Sequence, residues 1–409
     1  MDSLTSLTTA QQIVLDAAGI LGCEKIGLLD ALGRVLGEDI IAPRANPPWD
    51  NSAMDGFAVR WADIKQEHAI TRIPELKVVE DVAAGAVATK SVGHGEAIRI
   101  MTGAPMPAGA DTVVRIEYTE PSESTVRIML PEYGQGANIR PKGDDVQEGE
   151  CIIPQGTPLR SGEIGMLAIL AKSFVLVHQR PRVGILSTGD ELADLDESFD
   201  ENKIVNSNSY GIAAAVQEAG GIPVLLGIAK DNPDSLKDKI RQGLTCDILV
   251  LSGGVSMGDY DFTKPVFAEL GADMNFWKLA IRPGQPVAFG KIQGKLAFGL
   301  PGNPVSSMVT FDQLVRPAML KLGGHRIWER PIVKARFLEK FSKQTDRRHF
   351  LRGVLAYEGG DLVVRTTGKQ GSGILTSMVK ANGFIDVPEE VEHLQPGDVV
   401  NVQLLSRNF

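Results

Sequence analysis

The sequence predicts a multi-domain protein of the α/β plus β class. Three observations carry this expectation. Between residues 182 and 322, short apolar runs alternate with segments of helical periodicity, the pattern of a parallel sheet with helices on both faces. Between residues 42 and 149, glycines and prolines punctuate short alternating runs, which suits a mostly β fold. After residue 324 the runs are short, alternate with period two and include no helix of convincing length, which predicts a small barrel or sandwich. At roughly 100–200 residues per domain, a chain of 409 residues accommodates two to four units, each with its own core.

Taken in order, Ile13, Val14, Ala17, Ile20 and Leu21 recur near helical spacing, with Thr8 or Thr9 as the expected cap. Pro43, Pro47 and Pro48 then exclude a regular helix. Runs at 77–82 and 112–118 read as strands, and residues 141–158 return the chain to a connecting segment. The α/β pattern follows: strand 183–186, loop 187–191, helix 208–219, strand 224–228, helix 234–244, strand 247–251, glycine-rich loop 252–258 and helix 262–270. Strands at 287–290 and 296–299 lead to a loop at 300–304 and a helix at 305–322. The last module carries alternating runs at 333–337, 350–356, 362–365 and 399–404.

The formal net charge is −9, so a diffuse grip on nucleic acid is not expected, because that needs a basic face. An anionic ligand would have to be held locally, by arginines, backbone amides or a metal. Cys23, Cys151 and Cys246 are far apart and odd in number, which fits a reducing compartment and no disulfide framework. The first residues carry no basic n-region, and no apolar stretch approaches the roughly 20 residues that span a bilayer. A cytoplasmic protein is expected, with neither membrane nor nucleic acid as partner. Walker A, GxGxxG, HExxH and paired-cysteine sequences are all absent.

Ligands of an open α/β sheet bind at the carboxyl ends of the strands, so the three loops found there are the candidates. In Ser252-Gly253-Gly254-Val255-Ser256-Met257-Gly258 the glycines allow a tight turn that presents N–H groups to an oxyanion. The same residues also suit a plain strand-to-helix turn. Ser187-Thr188-Gly189-Asp190-Glu191 offers hydroxyls and amides to a phosphate, and Glu191 with Asp261 could hold Mg²⁺. Asp190 or Glu191 could equally cap the next turn. Leu300-Pro301-Gly302-Asn303-Pro304 is a rigid turn that could pre-organise a contact. Arg282 is a fork donor suited to phosphate or another oxyanion, and Lys340, Lys343, Arg347, Arg348 and Arg352 form a basic cluster in the last module. Asp55-Gly56 and Gly143-Asp144-Asp145-Val146 read locally as ordinary turns.

Five segments resemble the molybdopterin molybdenumtransferase family, the MoeA proteins and the gephyrin E domain. They are Pro47-Pro48-Trp49-Asp50-Asn51-Ser52-Ala53-Met54-Asp55-Gly56, Met101-Thr102-Gly103-Ala104-Pro105-Met106-Pro107-Ala108-Gly109-Ala110-Asp111, Ser187-Thr188-Gly189-Asp190-Glu191-Leu192, the glycine-rich loop 252–258, and Leu300-Pro301-Gly302-Asn303-Pro304-Val305-Ser306. Their order and spacing span nearly the whole chain. The resemblance implies an N-terminal helix (1–24), an elongated connecting domain (25–42 and 146–178), an inserted mostly β domain (43–145), a molybdopterin-binding α/β domain (179–324) and a C-terminal β domain (325–409). It implies a homodimer in which Asp55 and Asp145 reach across to the other copy. It also implies Mg-dependent insertion of molybdate into adenylyl-molybdopterin with release of AMP.

Carried over by motif, the acidic set is Asp55, Asp145, Glu191, Asp231 and Asp261, with Glu191 and Asp261 on Mg²⁺. Asp259 is an alternative to Asp261 as ligand, and Asp231 or Asp55 would orient water or accept a proton. The substrate set is Ser187, Thr188, Gly253, Gly254, Ser256, Gly258, Pro301, Gly302, Asn303 and Pro304. The molybdate set is Arg282, Arg352 and Ser377. The chain departs from the familiar pattern at Arg282 and Gln285, where lysines are common. Implied partners are the molybdopterin adenylyltransferase and molybdoenzyme maturation proteins. Two other readings compete: a different enzyme on the same α/β unit, and a non-catalytic scaffold.

Overall fold

The computed structural model describes residues 4–65, 73–129, 134–197, 201–254, 262–344 and 346–405. It contains two compact units. One comprises Met1–Gly37, Gly156–Leu159 and Val175–Phe409; the other comprises Glu38–Gln155 and Arg160–Phe174.

The first unit is built on a six-stranded sheet. Its order across the sheet is Ile222–Ala229, Arg182–Thr188, Ile248–Ser252, Lys295–Leu300, Pro286–Ile292 and Asp273–Lys278. The first four strands pair in parallel, as the alternation of strands and helices predicts. The last two pairings are antiparallel, so the sheet is mixed. The cause is local. Gln293 and Gly294, both at positive φ, turn Pro286–Ile292 straight back into Lys295–Leu300 as a two-residue hairpin. Strand Asp273–Lys278 lies outside the sequence expectation, because Asp273 and Asn275 interrupt its apolar residues.

Alternation along a central strand divides its side chains between two cores. Ile248 and Val250 join one cluster with Ile185, Ile212, Val216 and Leu300, while Leu249 and Leu251 join another with Leu236, Ile240 and Phe267. A strand buried on both faces reads as one apolar run, which is why Ile248–Ser252 is legible. Helices Ser207–Glu218 and Pro304–Thr310 contribute to the first core, and Pro233–Gly243 and Thr263–Glu269 to the second. The N-terminal helix, Leu7–Ala17, also packs into the first core. Its cap is Ser6, whose Oγ accepts from the Thr9 N–H (3.1 Å), rather than Thr8 or Thr9, which lie in its first turn. The single helix expected over 305–322 is interrupted by a π segment, Phe311–Val315, before Arg316–Leu322. Pro317 sits just beyond it, and a wider turn accommodates a residue without an N–H.

The C-terminal strands close into a ring. Arg348–Glu358 pairs with Asp361–Thr366, then Ile332–Phe337, Val399–Leu404 and Gly383–Val387 follow, and the last pairs back onto Arg348–Glu358. The expected barrel is therefore closed, around Phe337, Leu351, Val364, Ile385 and Val402. Ile281–Arg282 pairs with the start of Arg348–Glu358 and so brings Arg282 to the barrel. A five-residue helix, Thr376–Lys380, is too short for its period to register in the sequence.

The second unit holds another six-stranded sheet, ordered Thr112–Arg115, Gly56–Val59, Glu96–Ile100, Glu75–Val82, Thr125–Ile128 and Thr119–Pro121. The run expected at 112–118 ends as a strand at Arg115 and continues as a 3₁₀ turn, Ile116–Tyr118. Two short ladders accompany the sheet: Asn51–Ser52 with Ile139–Arg140, and Ile40–Ile41 with Cys151–Ile153. Among the described residues, no helix is long and apolar enough to cross a membrane.

Gly56 allows two strands to meet, because a Cβ there would lie 1.9 Å from the carbonyl oxygen of Val114. Gly56→Ala should lower stability by about 3 kcal/mol or more, near the upper end of overpacking costs. Urea denaturation of the full chain checks this, and a loss below about 1 kcal/mol would contradict the close approach.

Candidate functional site

The strand-end loops of the α/β sheet are tied to one another by polar side chains. Ser187 is 1% exposed; its Oγ donates to Asn206 Oδ1 (2.9 Å) and is 2.9 Å from Ser209 Oγ. This hydroxyl is committed to interior hydrogen bonds, which fix the strand end that bears it. Asn208 Nδ2 reaches two loops at once, donating to Ser252 Oγ and to the Gly302 carbonyl, both at 2.8 Å. Asn208 escaped the sequence reading, and its place just after the Asn206 helix cap is the available signal.

Gly253 and Gly254 lie at φ +94° and +65° over Thr188. A Cβ on Gly253 would approach the Thr188 carbonyl oxygen to 2.9 Å, and one on Gly254 would approach Thr188 Oγ1 to 2.9 Å. Both backbone conformation and space therefore demand glycine. The Gly253 N–H donates to the Leu300 carbonyl (3.0 Å) and so braces the neighbouring loop instead of facing an anion. Ser256, Gly258, Asp259 and Asp261 lie outside the described residues.

Asp190 and Asp231 hold each other's loops: the Asp190 N–H donates to Asp231 Oδ2 (3.3 Å) and the Asp231 N–H to Asp190 Oδ1 (3.2 Å). Glu191 is exposed beside them. Among the described residues, no group of three or more His, Cys, Asp or Glu side chains forms a metal-binding cluster.

Pro301 and Asn303 line an open cleft of about 920 Å³ between the strand-end loops and the barrel. Pro304 starts its helix, where a missing N–H costs nothing, and the Val305 N–H donates to Ser372 (3.0 Å). Gly302 contributes its carbonyl to Asn208. The remaining cleft wall includes Arg282, Lys343, Arg347, His349 and Arg352, with Asp346 beside them.

Arg352 is the decisive residue. It is 1% exposed and reaches only neutral acceptors: Ser377 Oγ (3.2 Å), the Phe350 carbonyl (3.2 Å) and the Gly371 carbonyl (3.4 Å). Among the described residues, no carboxylate pairs with it. Burial lowers its pKa to about 10, which still leaves it charged at neutral pH. A buried charge without a counter-ion costs on the order of several kcal/mol, and an anion in the cleft would relieve that cost. Ser377 Oγ donates to the Ile374 carbonyl (2.7 Å) and accepts from Arg352, so it orients the guanidinium. Gln370 Oε1 accepts from the Arg352 N–H (2.8 Å), a role for which the sequence carries no signal.

The rest of the basic cluster divides by partner. Arg348 is neutralised in a two-point pair with Asp386 (2.7 and 2.5 Å). Arg347 pairs with Asp346 and donates to Gln285 Oε1 (2.7 Å), so Gln285 anchors a cation in place of supplying one. Lys343 Nζ donates to the Arg347 and Glu389 carbonyls, and burial pulls its pKa down. Burial first, then the charges of Lys343, Arg282 and Arg347, push His349 down to about 4. His349 is therefore a neutral imidazole in the cleft at physiological pH.

The second unit places Asp55 and Asp145 on separate features. Asp55 Oδ1 accepts from the N–H (2.7 Å) and Oγ1 (2.8 Å) of Thr102, and these bonds hold its exposed carboxyl below the usual range. Asp145 accepts from Asn46 Nδ2 (3.0 Å) and lines a cavity of about 440 Å³ that Asp55 does not line.

The first unit thus joins a mixed α/β sheet with braced strand-end loops to a barrel that buries an arginine at an open cleft. Residues 5–171 match the MoeA N-terminal region (domain I and II), 184–321 a probable molybdopterin binding domain, and 334–405 the MoeA C-terminal region (domain IV). The chain belongs to the molybdopterin molybdenumtransferase family. It is 37% identical over 389 residues to the molybdopterin molybdenumtransferase of Nostoc sp., covering 93% of this chain and 88% of the relative. It is 37% identical over 385 residues to that of Haemophilus influenzae, covering 93% of each. The crystal structure of a molybdopterin biosynthesis MoeA protein from Pyrococcus horikoshii OT3 superposes with a TM-score of 0.85 at 32% identity, covering 98% of this chain and 100% of the other.

His349 gives a pH prediction. Its folded pKa, about 4, lies below the ordinary 6.5. Between those values the unfolded chain binds the proton more readily, so the contribution is complete above 6.5 and is lost as pH falls toward 4. Urea denaturation at pH 7 and pH 4.5 should show a larger loss for the wild type than for His349→Gln. Equal losses would place His349 outside a desolvated, cationic setting.

Proposed function

We propose that this protein inserts molybdate into the dithiolene of adenylyl-molybdopterin and releases AMP, giving molybdenum cofactor. The single observation that carries this reading is Arg352, a buried fork, charged at neutral pH, with neutral partners at the wall of an open cleft. A tetrahedral dianion supplies the missing counter-charge, and Arg282 on the adjoining strand adds a second fork. Arg352 binds and orients molybdate, Ser377 keeps the guanidinium in register, and the rigid Pro301–Pro304 turn borders the same cleft. Family membership supports the pterin as the acceptor.

For Mg²⁺, Glu191, exposed at a strand-end loop, with Asp261 would supply hard oxygen donors and hold the ion. When bound, Mg²⁺ would offset the negative charge on the phosphates. Asp231 or Asp55 orients water or takes up a proton; Thr102 keeps Asp55 ionised for that task. Asp145 completes the proposed acidic set. The reading includes a cytoplasmic homodimer.

The direct test is AMP release from adenylyl-molybdopterin, with and without molybdate and Mg²⁺, with molybdenum measured in the product. Release that needs both is expected; tight pterin binding without release would indicate a carrier. Arg352→Gln should weaken molybdate binding about tenfold to a hundredfold, as for loss of charge-assisted hydrogen bonds, with Arg352→Lys retaining part of it. Calorimetry on folded variants reads the difference, and unchanged affinity in Arg352→Gln would remove the oxyanion assignment. Asp261→Asn should abolish metal-dependent AMP release, and unchanged turnover would remove Asp261 as a ligand.

A further inference from the structure

Arg352 is held by more than the partners of its guanidinium. The ladder between Arg348–Glu358 and Asp361–Thr366 ends at the pair Gly353 and Thr366, one residue short of it. Beyond that pair the Thr367 N–H still donates to the Arg352 carbonyl (2.9 Å), and the chain then turns away through Gly368 at φ +93°. The side chain of Gln370 takes the place of the strand that has left. Its Oε1 accepts from the Arg352 N–H (2.8 Å) and its Nε2 donates to the Arg352 carbonyl (3.2 Å). A primary amide carries an acceptor and donors side by side, as a peptide unit of a neighbouring strand does. The same Nε2 reaches Thr367 Oγ1 and the Gly368 carbonyl, both at 3.2 Å, so the amide is itself fixed.

Two consequences bear on the cleft. On its other side Arg352 pairs with Phe384 of Gly383–Val387, so with Gln370 in place its backbone is held from both sides. The next residue, Gly371, supplies a carbonyl to Arg352 Nη2 (3.4 Å). Gln370 therefore sets both the root of the arginine and one acceptor of its fork, and it lines the same cleft. A fork that must meet an anion through directed bonds tolerates little displacement, so what fixes its root fixes its aim. Asn382 provides an internal comparison. Its side chain makes the same two-point contact with Leu355 on the same strand, accepting from the N–H (2.7 Å) and donating to the carbonyl (3.0 Å). Asn382 does not line the cleft.

We propose that Gln370 is a positioning residue for oxyanion binding: through the backbone of Arg352 and the Gly371 carbonyl, its amide aims the guanidinium into the cleft. The inference rests on the reading of Arg352 given above, and its own failure can be told from the failure of that reading.

Calorimetric titration of full-chain variants with molybdate tests it, beside the KM for adenylyl-molybdopterin. Gln370→Leu should weaken molybdate binding about tenfold while the KM for adenylyl-molybdopterin stays within about twofold. Gln370→Glu has the shape of the wild type but turns an oxygen toward the Arg352 carbonyl and brings a negative charge near the guanidinium. It should weaken molybdate binding at least as much, whereas a side chain that merely fills space would tolerate it. Its shape also keeps the test available should Gln370→Leu not fold. Asn382→Leu should lower the urea midpoint and leave molybdate affinity near that of the wild type. In the Arg352→Gln background, Gln370→Leu should cost little further affinity, because a residue that acts through another is not additive with it. Unchanged molybdate affinity in Gln370→Leu, affinity retained in Gln370→Glu, an equal loss in Asn382→Leu, or full additivity with Arg352→Gln would overturn the proposal. A loss in Arg352→Gln with none in Gln370→Leu strikes this inference alone; unchanged affinity in Arg352→Gln strikes the oxyanion assignment and this inference with it.

Discussion

The buried charge of Arg352 is the constraint around which the C-terminal half of the molecule is arranged. A guanidinium removed from water must have its donors met, and here carbonyls and a hydroxyl meet them without cancelling the charge. Placing those acceptors takes several segments at once. Phe350 lies on the same strand, Gly371 on the following loop, and Ser377 on a short helix set down against the barrel. Closure of the barrel fixes the strand that bears Arg352, because Leu351 and Leu355 on that strand point into a packed core. Interior packing of this kind resists the small shifts that would let the arginine escape to solvent.

The α/β sheet solves a different problem, which is to keep loops from several strands in fixed relation. Its side-chain ties run crosswise. Asn208 joins the ends of two strands, and Asp190 and Asp231 join two more loops through each other's backbone. Residues named as ligand contacts from the sequence also take part in the scaffold: the Ser187 hydroxyl and the Gly253 amide both make internal hydrogen bonds. The loops gain rigidity by this, and rigid loops hold a ligand with less ordering cost.

Strands buried on both faces and helices of three turns were legible because their periods repeat: Arg182–Thr188, Ile248–Ser252 and Ser207–Glu218 announce themselves. The two strands were legible but their antiparallel pairing was not, since it follows from the tight turn at Gln293-Gly294, whose two positive φ angles only the structure reveals. The π segment was hidden for the same reason. Among site residues, Arg352 could be named from the sequence but not weighed. Its significance lies in having no carboxylate partner among the described residues, and neighbouring Arg348, identical in type, is neutralised by Asp386. His349 and Gln370 gave no signal, because their roles arise from burial and from contacts across the barrel.

The closed ring of the C-terminal strands also governs how this module can meet other chains. Each strand of the ring already has a hydrogen-bonded neighbour on either side. Such a ring leaves fewer backbone groups for an incoming strand to pair with than an open sheet does, which disfavours recruitment of partners by sheet extension. Recognition at this module then falls more to side chains, whose shape and charge can discriminate between partners. Selectivity of that kind suits a module that keeps an uncompensated positive charge at an open cleft.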